Sequence, residues 1–391
     1  MTFRKSILLL ITLGMIAALV ACSSSTHAPI TVTLSTVPST LTVNSQTSIT
    51  ATVANDSANG GVTWSCSGAT PCGTFSAATS ASGTAVTYTA PAVIASSVTI
   101  TATSVTTTTI SATATTAITA ATLANGNYAF SLSGEDANGI YHVVGAFTVA
   151  SGAITAGEQD FVDIKNPDLF DQINPTGSTV ATTTDGNLQI ILTTCLGTTC
   201  TSADTAVGVA GVETLNGTVL PLSTTGRTFI NEFDASASGS GELNSQTTVA
   251  TSPLATGGYA FVVGGLDTGG DPLAIGGVIN VDNLSGAGTI SGAGSIFDMN
   301  DDMSGTTLQG QTLGASTVTA TPDAFGKVTF RLNPTGPTVT DEITLLGYIV
   351  DANHIRLVEG NGDGLGGTTG GVALTQTGTG TFSSTSIAGN T

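Results

Sequence analysis

Five cysteines, three histidines and 26 acidic side chains are the residues through which this 391-residue chain could do chemistry. Four of the cysteines fall into two close pairs, Cys66 with Cys72 and Cys195 with Cys200. Thiols so near in sequence suit local disulfides in an exported chain, each restricting the unfolded loop by about 2 kcal/mol. A four-thiolate metal site is the rival, and it would require two separate domains to converge. The fifth cysteine, Cys22, is the odd one out.

The histidines nominate no catalyst. His27 precedes the first strand-like segment, while His142 and His354 stand beside predicted turns and are expected to be solvated. No Gly-x-Ser-x-Gly elbow, His-Glu-x-x-His pair or phosphate loop occurs in a strand-to-helix setting, so no catalytic residue is assigned and no enzyme is expected. A glycosidase-type pair needs two carboxyls about 5 to 9.5 Å apart, and the sequence singles out none. The signature that would reverse this is two or more buried carboxylates in one cleft, their pKa values raised.

Two acidic clusters carry the oxygen donors that a hard cation takes. Asp298, Asn300 and Asp302 form one, but Met303 stands where an EF-hand loop turns on glycine. Glu359, Asn361 and Asp363 form the other, but Gly370 occupies the place of the closing glutamate. Both read as solvated acidic turns and at most weak calcium sites. No metal or cofactor is expected.

Cys22 ends a recognisable N-terminal pattern. Arg4-Lys5 precedes an apolar run from Ile7 to about Val20, which describes an export signal rather than a spanning helix. The tetrad Leu19-Val20-Ala21-Cys22 resembles the lipobox of bacterial lipoproteins. That resemblance implies removal of residues 1–21 and acylation of Cys22, with palmitate-type chains holding the protein to a membrane. Each buried CH₂ contributes roughly 0.8 kcal/mol. Ser23 rather than Asp after the cysteine is similar to lipoproteins sent on to an outer membrane, so the expected location is the cell envelope.

Without residues 1–21 the chain loses Arg4 and Lys5 and keeps five basic residues against 26 acidic ones. So acidic a chain argues against nucleic acid as a partner. Charge also divides the chain: between Cys22 and Leu123 the only ionised side chain is Asp56. A polar tether (22–30) leads into a segment (31–120) of short alternating strands, including Leu41/Val43, Ile49/Ala51/Val53, Val86/Tyr88 and Val98/Ile100/Ala102. Val62-Thr-Trp64-Ser-Cys66, Thr87-Tyr88-Thr89-Ala90-Pro91 and Val98-Thr-Ile-Thr-Ala102 resemble bacterial immunoglobulin-like domains. The resemblance implies a β-sandwich used as a spacer. Cys66 and Cys72 are too close to bridge its two sheets.

An internal repeat organises the remainder. Leu123-Ala-Asn-Gly-Asn-Tyr-Ala-Phe130 recurs as Leu254-Ala-Thr-Gly-Gly-Tyr-Ala-Phe261, and Leu188/Ile190/Leu192 lines up with Val328/Phe330/Leu332. Two tandem copies follow, 121–250 and 251–391, each with about six to eight antiparallel strands and no amphipathic helix. Ile343–Val350 and Ile355–Val358 form the clearest hairpin. The expected fold class is therefore all-β: an immunoglobulin-like sandwich followed by two antiparallel barrels or sandwiches, with the barrel favoured because closure removes exposed edges. Tyr128, Phe130, Tyr259 and Phe261 would line the barrel interiors and are the candidate ligand contacts. The functional expectation is a lipid-anchored, non-enzymatic surface protein meeting a protein or carbohydrate partner. The alternative is a small-ligand-binding lipoprotein with duplicated lipocalin-like barrels.

Overall fold

The computed structural model describes residues 28–119, 123–167, 169–183, 187–200, 202–217, 226–246, 254–301, 306–335, 342–360 and 367–376. Those residues form strands and connecting turns without a helix. They divide into two compact units, the first drawn mainly from the chain up to Thr119 and the second mainly from the residues after it.

The first unit contains β1 (Thr31–Leu34), β2 (Thr40–Thr42), β3 (Gln46–Ala54), β4 (Val62–Ser67), β5 (Thr74–Phe75), β6 (Thr79–Ser80), β7 (Ala85–Thr89), β8 (Ala95–Ser104) and β9 (Ser111–Thr119). They make a four-stranded sheet, β1-β3-β7-β5, and a five-stranded sheet, β2-β9-β8-β4-β6. Period-two alternation decides which residues are inside. Ile49 and Ala51, Val86 and Tyr88, and Val98, Ile100 and Ala102 are all buried. Trp64 of one sheet stacks on Phe75 of the other, with centroids 5.9 Å apart. Cys66 is bonded to Cys72 across the turn after β4. Asp56, the lone acid here, works as turn chemistry: it accepts from the backbone N–H of Ala58 and Gly60 and from the Thr106 hydroxyl.

The second unit holds two barrels in tandem. The first uses β10 (Gly126–Asp136), β11 (Gly139–Ala150), β12 (Ala153–Asp163), β13 (Leu169–Ile173), β14 (Thr179–Thr182), β15 (Leu188–Leu196), β16 (Val212–Gly217), β17 (Arg227–Glu232) and β18 (Ala237–Gln246). Pairing of β13 with β15 closes eight of these into a ring, and β14 flanks β15 outside it. The second uses β19 (Gly257–Asp267), β20 (Pro272–Asn283), β21 (Thr289–Asp301), β22 (Thr306–Thr312), β23 (Ser316–Val318), β24 (Lys327–Leu332), β25 (Ile343–Asp351), β26 (His354–Glu359) and β27 (Gly367–Thr375). Here β20 with β21 completes the ring of eight, and β22 lies to one side. Closed barrels, rather than sandwiches, are thus what the repeat builds. All the ring pairings are antiparallel, and β25 with β26 is the expected hairpin.

The repeated Leu-Ala-x-Gly-x-Tyr-Ala-Phe motif has one physical job in both copies. Leu123 and Leu254 are buried in the respective cores. Gly126 and Gly257 have φ of 152° and 135°, a conformation that a side chain would resist, and each begins a barrel strand. Two residues on, the Tyr128 hydroxyl donates to the Ala124 carbonyl and the Tyr259 hydroxyl to the Ala255 carbonyl, both at 2.9 Å. Each tyrosine thereby ties the entering chain to its barrel while its ring fills the interior.

The two barrels pack through outward-facing residues. Ala129, Val144, Ala146 and Val162 of the first meet Leu346, Tyr348, Val350 and Val358 of the second. Lys327 donates to Asp160 at 2.7 Å, and the Tyr348 hydroxyl donates to Asp160 at 2.9 Å and to Glu158 at 3.2 Å. Gln246 donates to the carbonyls of Phe325 and Ile349. Arg356 joins Glu242 and Asn244. His142 also belongs to this region, which corrects the expectation of a solvated turn histidine. It sits within β11, only 7% exposed, with Nδ1 2.7 Å from the Ser133 hydroxyl, and burial lowers its pKa to about 4. His354 does stand exposed at its hairpin turn, beside Asp351.

Candidate functional site

Strand alternation sends every second side chain of a barrel strand inward, so a polar residue at an inward position must be satisfied there or remain available to something else. In the first barrel four inward or loop-borne polar groups converge at the end opposite Tyr128. Gln159 of β12 is paired in register with Asp171 of β13, and both are fully buried. Glu213 of β16 faces Leu192 of β15 in register, and Asp204 comes from the loop joining those two strands; each is 3% exposed.

That loop is held in place by its own covalent and hydrogen-bonded frame. Cys195, at the end of β15, is bonded to Cys200. Leu196 N–H donates to the Ser202 carbonyl, Asp204 N–H to the Thr194 carbonyl, and Thr194 N–H to the Gly211 carbonyl. Val207 anchors the loop in the apolar core. The second disulfide therefore secures a segment that brings an acid into the barrel.

Among the described residues, both carboxylate oxygens of Asp171, Oδ2 of Asp204, Oε2 of Glu213, Oε1 of Glu232 and both polar atoms of the Gln159 amide are buried without a hydrogen-bond partner. Gln159 lies against Asp171 and Glu213, and its amide opposes the rise in the pKa of both. Burial is the main reason that Asp171 and Glu213 are pushed up to about 8; the neighbouring charge of Asp204 adds to it for Asp171, and those of Asp234 and Asp204 for Glu213. Glu232, at the end of β17, rises to about 9 through burial and the nearby Glu213 and Asp234. Asp234 goes the other way: burial opposes ionisation, but bonds from Ser236, Glu232 and the Thr214 backbone hold it below the usual range. Crowded acids in low dielectric ionise one at a time, so these groups share protons.

A cavity of about 380 Å³ opens beside this cluster. It is walled by the β10–β11 turn (Asp136, Ala137, Asn138), the β15–β16 loop (Thr205, Ala206, Gly208) and the β17–β18 turn (Ala235, Ser236), with Tyr141, Phe161, Glu213 and Glu232 lining it from the strands. The rings of Tyr141 and Phe161 are stacked, with centroids 5.5 Å apart and planes at 19°. The Tyr141 hydroxyl reaches Glu232 at 3.5 Å. Its ring occupies the space above Gly239, where any Cβ would collide with the Tyr141 hydroxyl. Chemically the cavity offers an aromatic wall, a phenol, three acids and no basic side chain.

The corresponding layer of the second barrel is differently filled. Tyr141, paired with Gly134, corresponds to Leu273, paired with Gly265. Gln159 and Phe161 correspond to Phe297 and Met299, and Glu213 to Ile343. Those four replacements belong to the second barrel's apolar core. Of the cavity's acids, Glu213 alone is replaced by an apolar residue: Asp136 corresponds to Asp267, and Glu232 to Glu359, which accepts from the Thr369 hydroxyl at 2.9 Å.

No family model and no curated protein matches the chain. Among solved structures, kievitone hydratase from Nectria haematococca shares 9% identity over 65% of this chain and 89% of its own, with a TM-score of 0.21. A putative AttH from Nitrosomonas europaea shares 12% over 64% and 92%, also with a TM-score of 0.21. Likeness at this level carries no argument about chemistry.

The residues named from sequence lie elsewhere. Tyr128, Phe130, Tyr259 and Phe261 do point inward, but they are packed into the barrel cores and none lines the cavity. Asp298 and Asn300 project outward from β21, where Asp298 accepts from Gly310 N–H. Glu359 is buried, and Asp302, Asn361, Asp363 and Cys22 fall outside the described residues. Among the described residues no group of three or more His, Cys, Asp or Glu side chains is arranged to hold a metal ion. Glu213 and Glu232 were missed because local alternation misdirects: in β17 the apolar Phe229 is 64% exposed while Glu232 turns inward. The available signal was the repeat, which sets Glu213 against Ile343.

Proposed function

We propose that this chain is an exported, lipid-anchored envelope protein whose first barrel binds a small molecule at its acidic end. The observation that carries the reading is the 380 Å³ cavity lined by Tyr141, Glu213 and Glu232, with buried carboxyl oxygens left without protein partners. Cavities of roughly 300 Å³ and above with a few converging polar groups are what small ligands use. A purely adhesive or structural protein has no use for unsatisfied acids inside a barrel, since each costs about 1 to 3 kcal/mol. The preference therefore passes from surface adhesion to ligand binding. Acylation at Cys22 and an immunoglobulin-like spacer would hold the binding unit away from an outer membrane.

Thermal-shift measurements with panels of cationic, neutral and anionic small molecules test the binding role. At least one class is expected to raise the Tm of the wild type and not that of Ala206→Trp, which would plug the cavity. If no class does so, the binding role fails. The anchor has its own test: Cys22→Ser should release the protein from the membrane fraction.

A second reading rests on the same side chains. Buried carboxyls with raised pKa in one cleft, beside a phenol, can exchange protons with a substrate as well as bind it. An acid–base enzyme would convert its ligand, and product analysis after incubation with the Tm-raising compound separates it from a binder.

A further inference from the structure

Resting on the binding role just proposed, we infer that the ligand of the first barrel is a small organic cation, an amine or quaternary ammonium compound held between the Tyr141–Phe161 wall and the Glu213–Glu232 carboxyls. Three observations converge on that class. Asp136, Glu213 and Glu232 line the cavity, and no lysine, arginine or histidine does. Asp171, Asp204 and Asp234 stand behind them, and among the described residues none of these six acids forms an ion pair. Glu213 is 97% buried with Oε2 unpartnered. The ionised form of an acid at that depth is costly unless a positive charge arrives to offset it.

The aromatic wall selects among cations. Tyr141 and Phe161 present stacked rings to the same space, and ring faces attract ammonium groups more strongly once water is removed. A bare metal ion would gain nothing from that wall, and the described acids do not assemble into a metal-like cluster. The volume, about 380 Å³, also suits a molecule rather than an ion.

Cation binding should be coupled to proton release. The titratable groups acting on Glu213 and Glu232 are Tyr141 of β11, Asp171 of β13, Asp204 of the β15–β16 loop and Asp234 after β17, with Asp136 of β10 lining the same cavity; none supplies a positive charge. With Glu213 protonated at neutral pH, a bound ammonium ion favours its ionised form and expels the proton. Release of the Glu213 proton makes affinity rise about tenfold per pH unit well below pH 8 and more gently as pH 8 is approached, roughly 50-fold in all from pH 6 to 8.

The test is calorimetry of the full mature chain with cadaverine and with choline. Parallel titrations use neutral molecules of matching size (1,5-pentanediol and 3,3-dimethyl-1-butanol) and calcium chloride, at pH 6 and 8. Expected are binding of at least one cation, tighter at pH 8, a heat that changes with the ionisation enthalpy of the buffer, and a loss of tenfold or more in Glu213→Gln. Glu342→Gln, which alters an exposed carboxylate on the second barrel, should bind as the wild type does. Glu232→Gln provides an independent variant should Glu213→Gln not fold. Equal binding of the neutral molecules, or binding of calcium alone, overturns the cation assignment while leaving a binding cavity in place. Failure of all these compounds, where the wider panel finds a neutral or anionic ligand, also overturns the cation and spares the binding role. Failure of every class removes both.

Discussion

The first and second barrels share an eight-stranded ring, a flanking strand and the motif that closes one end, yet they treat the opposite end in contrary ways. The second continues its apolar filling through Leu273, Phe297, Met299 and Ile343. The first places Tyr141, Gln159, Phe161 and Glu213 at the matching positions and leaves a cavity beside them. Hydrophobic filling stabilises a barrel by about 25 cal/mol per Å² of apolar surface buried. Buried acids forgo that gain and add a desolvation cost. The contrast teaches that duplication supplied the same scaffold twice, and that one copy gives up apolar packing at one end where the other keeps it.

Exchanging the divergent residues is the most direct way to break this comparison. Ile343→Glu places an unpartnered acid in the packed barrel and should destabilise it by on the order of 4 kcal/mol, the scale for an uncompensated buried charge. Urea unfolding reads the effect; an unchanged midpoint would mean that the second barrel tolerates acids as the first does. The reciprocal change, Glu213→Leu, should stabilise the first barrel by about 1 to 3 kcal/mol at pH 8. Loss of stability would show that Glu213 is structurally satisfied.

The pH dependence sharpens the same contrast. Asp171, Glu213 and Glu232 have folded pKa values raised above their unfolded ones, so the native state holds protons that the unfolded state has released. Their contribution is fully present below about pH 4 and is lost as pH rises through 8 to 9, at about 1.4 kcal/mol per pH unit for each extra proton held. Stability of the second unit should therefore fall between pH 5 and 9, and Glu213→Gln should flatten the slope. The smallest effect belongs outside the barrels: Arg331→Ala removes an exposed pair with Glu342 and should cost no more than about 0.5 kcal/mol.

Much of the architecture was legible in the residues. Alternation of Ile49/Ala51, Leu188/Ile190/Leu192 and Val328/Phe330/Leu332 marked strands and their buried faces, because a pleated strand has a strict period of two. The Leu-Ala-x-Gly-x-Tyr-Ala-Phe repeat marked two equivalent units, since its tyrosine, glycine and leucine solve the same closing problem each time. Turn spacing failed for His142: β11 runs on through that position, and the neighbouring barrel's Gly370 lies against the imidazole. The site was harder still. Glu213 and Glu232 lie on different strands, 19 positions apart, and no local pattern of residues links them.

The sequence by itself determined the strand faces, the duplication and the local cysteine pairs, all of which depend on neighbours within a few residues or on self-similarity. Only the tertiary structure decided that the sheets close, that the barrels dock through Tyr348 and Lys327, and that acids from β10, β16 and β17 line one cavity with Asp171 and Asp204 clustered beside it. Ring closure joins strands far apart in the chain, and the desolvation that gives those acids their chemistry exists only once the ring has excluded water.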